Sequence, residues 1–311
     1  MNEIAVAPIP GSRVESLGSF LGDLLRLAKF RITLVAVFTG YAAVAVHGEY
    51  ARNWTMLWPL IIALFATGAS ANALNQLFER EKDASMSRTR HRRPLPAGRL
   101  GVITAVSFSV AMLALAIGIE LTVYHSWLAV ICSVVTVVYY AFIYTLWLKP
   151  RYWIATVVGG VPGAMGPMIA WAAVDNALPL PAWALFMLIF LWTPPHVWAL
   201  AIRLKDDYAR AGIPMLPVVK GIDATTLQIL IYGVILVVFT IALPLLPAFS
   251  HSWIYLALAC ALGGVFLGWC VRIHRRRPVP PTMPLFRFTI LHLALLFLAL
   301  IVDAFAFGSA R

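Results

Sequence analysis

The sequence predicts an all-α fold, a polytopic membrane helical bundle of about nine transmembrane helices. Three observations carry that expectation. First, 61% of the 311 residues are hydrophobic and only 12% are charged, against about 25% charged in an ordinary soluble domain. A soluble domain has no place for so much apolar surface, because surface-to-volume scaling leaves it a broad polar shell. Second, apolar runs of membrane-spanning length recur along the whole chain. Third, the basic residues segregate to alternate loops. Mean hydropathy is +0.86, and twenty glycines and twenty prolines are ordinary numbers for this length, which excludes collagen-like and low-complexity chains.

A hydrocarbon core about 30 Å thick takes roughly 20 residues of helix. Runs of that kind fall at 30–47, 54–78, 102–123, 126–148, 153–174, 181–204, 223–246, 252–272 and 285–307. The first is short, and Leu24, Leu25 and Leu27 leave room for an earlier start. Only Tyr124, His125 and Ser126 divide the third from the fourth, which makes a tight hairpin. No alternating β-period dominates anywhere. The expected organisation is a cytoplasmic N-terminal segment 1–29, a single transmembrane domain 30–307 and a short tail 308–311. Cys132, Cys260 and Cys270 fall inside apolar runs without paired spacing, so they read as packing residues.

The loops set orientation. Of 24 lysines and arginines, all but Arg52 and Arg311 lie within residues 1–31, or in the loops after even-numbered spans and the span ends that border them. The positive-inside rule then places the N-terminus in the cytoplasm and, with an odd span count, the C-terminus outside. A net charge of +11 is thereby assigned to topology, not to nucleic acid. Residues 1–29 lack the apolar core and small-residue cleavage site of a signal peptide. Glu3, Glu15 and Asp23 do not suit a mitochondrial transit peptide. The expected location is a bacterial inner membrane.

Positive-inside bias explains basic loops but not carboxylates among them. Glu79, Glu81, Asp83, Asp206, Asp207 and Asp223 gather after spans 2 and 6. Asn75, Glu79 and Asp83 are spaced four apart, so they fall on one helical stripe, with Asn72 in the same sector. Oxygen ligands one turn apart suit a hard cation such as Mg²⁺, which takes one or two carboxylates and fills its shell with water and phosphate oxygens. Arg88, Arg90, Arg92 and Arg93 follow with no neutralising carboxylate, and arginine forks match phosphate oxygens. Together these residues point to a diphosphate held through Mg²⁺ at a membrane mouth. The plain alternative is a solvated loop that obeys the positive-inside rule.

The second cluster lies around span 6. Pro194 and Pro195 would break backbone hydrogen bonding inside the membrane, which is tolerated where protein or a cavity satisfies the freed groups. His196 beside them is costly in lipid and so a functional candidate. Two polar clusters four spans apart suggest a duplicated four-helix unit. In span 5, Gly159, Gly160, Gly163 and Gly166 allow close helix packing or a backbone facing a ligand.

Asn75, Glu79 and Asp83, followed by Met86-Ser87-Arg88-Thr89 and Arg93-Pro94-Leu95-Pro96-Ala97-Gly98, resemble the first motif of UbiA-type intramembrane prenyltransferases. Tyr144-Thr145 to Leu148-Lys149, Gly160-Val161-Pro162-Gly163-Ala164, and Pro194-Pro195-His196-Val197-Trp198 through Asp206-Asp207-Tyr208 to Pro217 agree. The last stretch resembles the haem-farnesylating branch, because His196 and Lys205-Asp206-Asp207-Tyr208 stand where other members carry an acidic second motif. The resemblance covers about residues 25 to 305. Glu79 stands where many relatives have Asp. The arginine segment is one residue longer than expected, which leaves Arg92 and Arg93 both open for one role.

The resemblance implies transfer of a farnesyl group from farnesyl diphosphate to the vinyl group of protohaem, with addition of water, giving haem O. It implies Mg²⁺ on Asn75, Glu79, Asp83 and Asp206, with Asp207 beside them in the catalytic set. Arg88, Arg92 or Arg93, Lys149 and Lys205 would bind diphosphate. His196 would ligate haem iron or orient the propionates. A haem A synthase is left open as the partner that takes the product. The alternatives are a prenyltransferase for an aromatic quinone or chlorophyll precursor, a transporter, and a structural assembly partner of the haem oxidase. The first needs a more acidic second motif, the second mid-membrane ionisable groups, and the third no Mg²⁺ ligands.

Overall fold

A computed structural model describes residues 17–250, 252–276, 279 and 281–307. The N-terminal segment is therefore described from Leu17 onward, and the tail 308–311 lies outside the described residues. Among the described residues nine helices are long and apolar enough to cross a membrane. In chain order, spans 1 to 9 are Phe30–His47, Trp54–Phe78, Val102–Thr122, Trp127–Leu148, Ala155–Asp175, Leu180–Arg203, Gly221–Leu245, Trp253–Arg275 and Met283–Phe307. No strand occurs among the described residues.

Sequence neighbours pack on one another, as short connections dictate. Span 1 also packs on span 5, and span 9 crosses spans 1, 6 and 8. Glycine lets spans 1 and 5 approach. A Cβ on Gly166 would collide with the Ala36 carbonyl, and one on Gly40 would crowd the Gly166 carbonyl at 3.1 Å. Polar side chains join spans 2, 3 and 4: Thr67 donates to Ser133 (3.1 Å), which donates to the buried Glu120 (2.5 Å). Such pairing is what makes a buried carboxyl tolerable in lipid.

Leu24, Leu25 and Leu27 do not extend span 1. They belong to a separate helix, Leu17–Leu27, and the chain bends at Lys29, whose backbone is left-handed (φ 49, ψ 52). Leu17, Leu21 and Leu25, four apart, are exposed on one face, while Asp23 and Leu27 are buried. An amphipathic helix of this kind lies along a membrane surface. Its docking is polar: Asp23 accepts from Arg99 (2.9 and 3.1 Å) and Arg26 (2.7 Å). Gln76 Nε2 donates to the carbonyls of Leu27 (2.7 Å) and of Arg26 (2.9 Å), the latter also accepting from the Lys29 amide (3.1 Å) at the helix end. Burial alone would raise the Asp23 carboxyl, but Arg99 and Arg26 outweigh it and hold it below the usual range.

Three more departures shape the interior. Span 4 is α-helical to Val138 and π-helical over Tyr139–Leu148. Span 5 is jogged at Gly159, between Ala155–Val158 and Gly160–Asp175. Span 6 runs unbroken through Pro194 and Pro195, contrary to the expected break. Proline's fixed φ is helical, so the tandem pair removes two amide donors while the chain stays helical on both sides.

Candidate functional site

The ends of spans 2, 4 and 6 and the bend before span 1 converge on one polar cluster. Span 2 stops at Phe78, and Glu79 is its cap. The hydrogen-bond ladder nevertheless continues, from Glu79 N to Asn75 O (3.0 Å) and from Asp83 N to Glu79 O (2.8 Å). The four-residue spacing therefore keeps Asn75, Glu79 and Asp83 on one inward stripe, at 1%, 6% and 3% exposure.

Each of the three is held by a cation. Lys29 Nζ donates to Asn75 Oδ1 (2.6 Å). Lys149 pairs with Glu79. Arg93 pairs with Asp83 and reaches Glu79 at 3.4 Å. Asn75 Nδ2 donates to Thr145 Oγ1 (3.0 Å), which donates to the Tyr140 carbonyl (2.6 Å) in the π-helical turn. Tyr140 and Tyr144 stack in parallel, centroids 5.5 Å apart. Lys29 lies over the first ring and Lys149 over the second. A Cβ on Gly159 would collide with the Tyr144 ring, so the bare glycine at the jog leaves room for it.

The charges are strongly coupled. Burial would raise Glu79, but Lys149, Lys29 and Arg93 outweigh it and pull the carboxyl down to about 2. Burial opposes the charge on Lys149, yet Glu79 holds the ammonium above its ordinary value. Burial and the Arg93 charge push Lys29 well below the usual lysine range, against the pull of Glu79. Burial, with the Glu79 charge, raises Asp83 despite Arg93.

The donor set fits a hard divalent cation: an amide oxygen and two carboxylates, all buried, with no nitrogen or sulfur among them. The cations around it are of the kind that binds phosphate oxygens. The site can thus hold a divalent metal and a polyanion together.

The loop after span 6 meets the loop after span 2 through Ser87, whose hydroxyl donates to Asp207 (3.1 and 3.2 Å); Arg210 also pairs with Asp207. The loop after span 6 thus contacts the loop that follows the first acidic cluster. Asp207 is the buried member, while Asp206 is exposed on the far side of the short helix Lys205–Arg210. Adjacent helical residues point about 100° apart, so of the two it is Asp207 that contacts the loop after span 2. Arg88 and Arg92 are also exposed, and Lys205 is half-buried. Arg92 offers its carbonyl to Arg99 (3.3 Å). Of the two open arginines, Arg93 is the one turned inward.

His196 lies apart from this cluster. Its ring is stacked between Trp192 (4.2 Å) and Phe286 (4.6 Å), and its Nδ1 lies 2.6 Å from Thr289 Oγ1. That hydroxyl donates to the Phe286 carbonyl (2.7 Å), so its oxygen accepts from Nδ1–H and the Nε2 lone pair is left for another partner.

Lys29, Ser87 and Tyr140 were not among the sequence candidates. Lys29 looked like one more topogenic charge. The signal was its position, directly before Phe30 at the start of a span.

The model of the family described as "UbiA prenyltransferase family" matches residues 34–305. A protoheme IX farnesyltransferase of Leptospira biflexa is 38% identical over 284 residues, covering 90% of this chain and 97% of that one. A second, of Rhodopseudomonas palustris, is 39% identical over 319 residues, covering 100% and 99%. Among solved structures, a digeranylgeranylglyceryl phosphate synthase aligns with a TM-score of 0.74 at 19% identity, over 92% of this chain and 99% of that one. A UbiA homolog from Archaeoglobus fulgidus bound to GPP and Mg²⁺ aligns at 0.63 and 16%, over 89% and 99%.

Proposed function

This chain belongs to the UbiA prenyltransferase family, and from that premise we propose that it transfers the farnesyl group of farnesyl diphosphate to the vinyl group of protohaem, with addition of water, giving haem O and diphosphate. The observation that carries the reading is the buried stripe Asn75–Glu79–Asp83 compensated by Lys29, Lys149 and Arg93. The names of near full-length relatives support protohaem as acceptor over an aromatic quinone or chlorophyll precursor. They offer no support for a haem A synthase partner. The basic loops favour a bacterial inner membrane with the N-terminus cytoplasmic and the C-terminus periplasmic.

Asn75, Glu79 and Asp83 would hold Mg²⁺, with Asp207 from the facing loop. Bound there, the ion would stabilise the charge growing on the diphosphate leaving group. Arg93 and Lys149 donate to diphosphate oxygens. As the allylic C1–O bond breaks, its electron pair leaves with diphosphate. The stacked faces of Tyr140 and Tyr144 lie beside the cation character left on the chain. The vinyl π pair forms the new carbon–carbon bond. Water adds to the resulting cation and loses a proton. His196 presents Nε2 to the haem, with its tautomer fixed by Thr289.

Incubating purified protein with protohaem, farnesyl diphosphate and Mg²⁺ tests this, with haem O read by mass spectrometry. A haem-loaded His196→Ala protein with an unchanged absorption spectrum would remove His196 from the haem site.

A further inference from the structure

We propose that Lys29 is the resident cation of the metal site, holding the Asn75 oxygen until metal and diphosphate arrive together, and then becoming a ligand of the diphosphate. The inference rests on the reading of Asn75, Glu79 and Asp83 as metal ligands. Its first support is the fixed amide of Asn75. Nδ2 is committed to Thr145 Oγ1, whose proton is committed to the Tyr140 carbonyl. Oδ1, the one Asn75 side-chain atom able to ligate a metal, therefore faces Lys29 Nζ at 2.6 Å.

The second support is the backbone. Lys29 is held at φ 49, ψ 52, a conformation that costs a non-glycine residue energy and persists where its surroundings impose it. The bend brings the ammonium onto Asn75 rather than out to solvent.

The third is charge. With all five groups ionised, Glu79 and Asp83 bring two negative charges and Lys29, Lys149 and Arg93 three positive ones to one cluster. Lys149 and Arg93 have carboxylate partners, whereas Lys29 makes no ion pair among the described residues. Its contacts are neutral: Asn75, and the Tyr140 hydroxyl at 3.4 Å. A divalent metal alone worsens this positive surplus. A metal with an ionised diphosphate, about three negative charges, cancels it. Lys29 thus makes metal binding conditional on the diphosphate.

The test is Mn²⁺ titration of detergent-purified wild type, Lys29→Met and Lys29→Gly, followed by electron paramagnetic resonance. Each titration is run with and without farnesyl thiolodiphosphate, an unreactive analogue whose own affinity is read by calorimetry. Glycine suits a positive φ, so Lys29→Gly removes the ammonium without straining the fold. In both variants Mn²⁺ alone should bind about tenfold tighter, and the analogue with saturating Mn²⁺ about tenfold weaker, the worth of one charge-assisted hydrogen bond. Lys29→Arg should retain most of the analogue affinity. Shifts in the same direction, or none, overturn the proposal. Wild type that takes up no Mn²⁺ even with the analogue overturns the metal assignment itself.

Discussion

The ammonium of Lys149 is paired with the carboxylate of Glu79, 70 residues away in the chain. The pair ties the π-helical end of span 4 to the cap of span 2. It also keeps Glu79 ionised at any pH above about 2. Glu79→Gln should lower haem O formation at least ~100-fold, about 2.7 kcal/mol of transition-state stabilisation. Glu79→Asp keeps the charge with a shorter reach, and should lose about tenfold or less. Initial rates, alongside thermal melts that check folding, decide this.

Arg93 and Arg92 separate cleanly. Arg93→Ala removes the partner of Asp83 and a donor to diphosphate, and should cost ~100-fold in kcat/KM for farnesyl diphosphate. Arg92→Ala removes an exposed guanidinium and should stay within about threefold of wild type. A reversal of the two would move the functional arginine one residue upstream.

Asp23 gives the N-terminal helix a pH signature. Against burial, its carboxyl is held below the usual carboxylate range by Arg99 and Arg26. A depressed native pKa stabilises fully above the unfolded value and is lost as pH falls through the native one. Docking of Leu17–Leu27 should therefore be constant above about pH 5 and weaken progressively below about pH 4. Asp23→Asn should be weaker at neutral pH and lose this dependence. Limited proteolysis of the helix across pH reads both effects.

On the proposed reading of His196 as a haem residue, Thr289 positions it through their hydrogen bond. Thr289→Val removes the hydroxyl that accepts from Nδ1–H and frees the tautomer. Partners of this kind are worth about tenfold or more in metal affinity. Haem titrations should show weaker binding and a shifted Soret band, while Mn²⁺ binding at Asn75 stays unchanged. An unaltered haem titration would leave the Thr289 contact purely structural.

How much of this was legible in the sequence depends on which forces each residue answers to. The nine spans follow from apolar length, and the inward stripe of Asn75, Glu79 and Asp83 follows from helical spacing, because both are local. The identity of the inward arginine was not legible, since the turn over residues 86–99 decides which side chain returns to Glu79. The burial of Asp207 rather than Asp206 has the same origin: one residue of phase on a short helix. Lys29 was hidden for another reason. Its role comes from a left-handed bend and a partner 46 positions away, neither of which leaves a periodic trace. The tandem prolines read as a break because their missing donors are visible in sequence, whereas the packing that keeps span 6 helical around them is not.

The most direct test of the account remains the reaction itself, run on purified protein in detergent or nanodiscs with farnesyl diphosphate, protohaem and Mg²⁺, with and without a chelator. The expected result is haem O by mass spectrometry in the metal-replete sample alone. Folded protein that farnesylates an aromatic quinone precursor but not protohaem, or that makes haem O equally well in chelator, would contradict it.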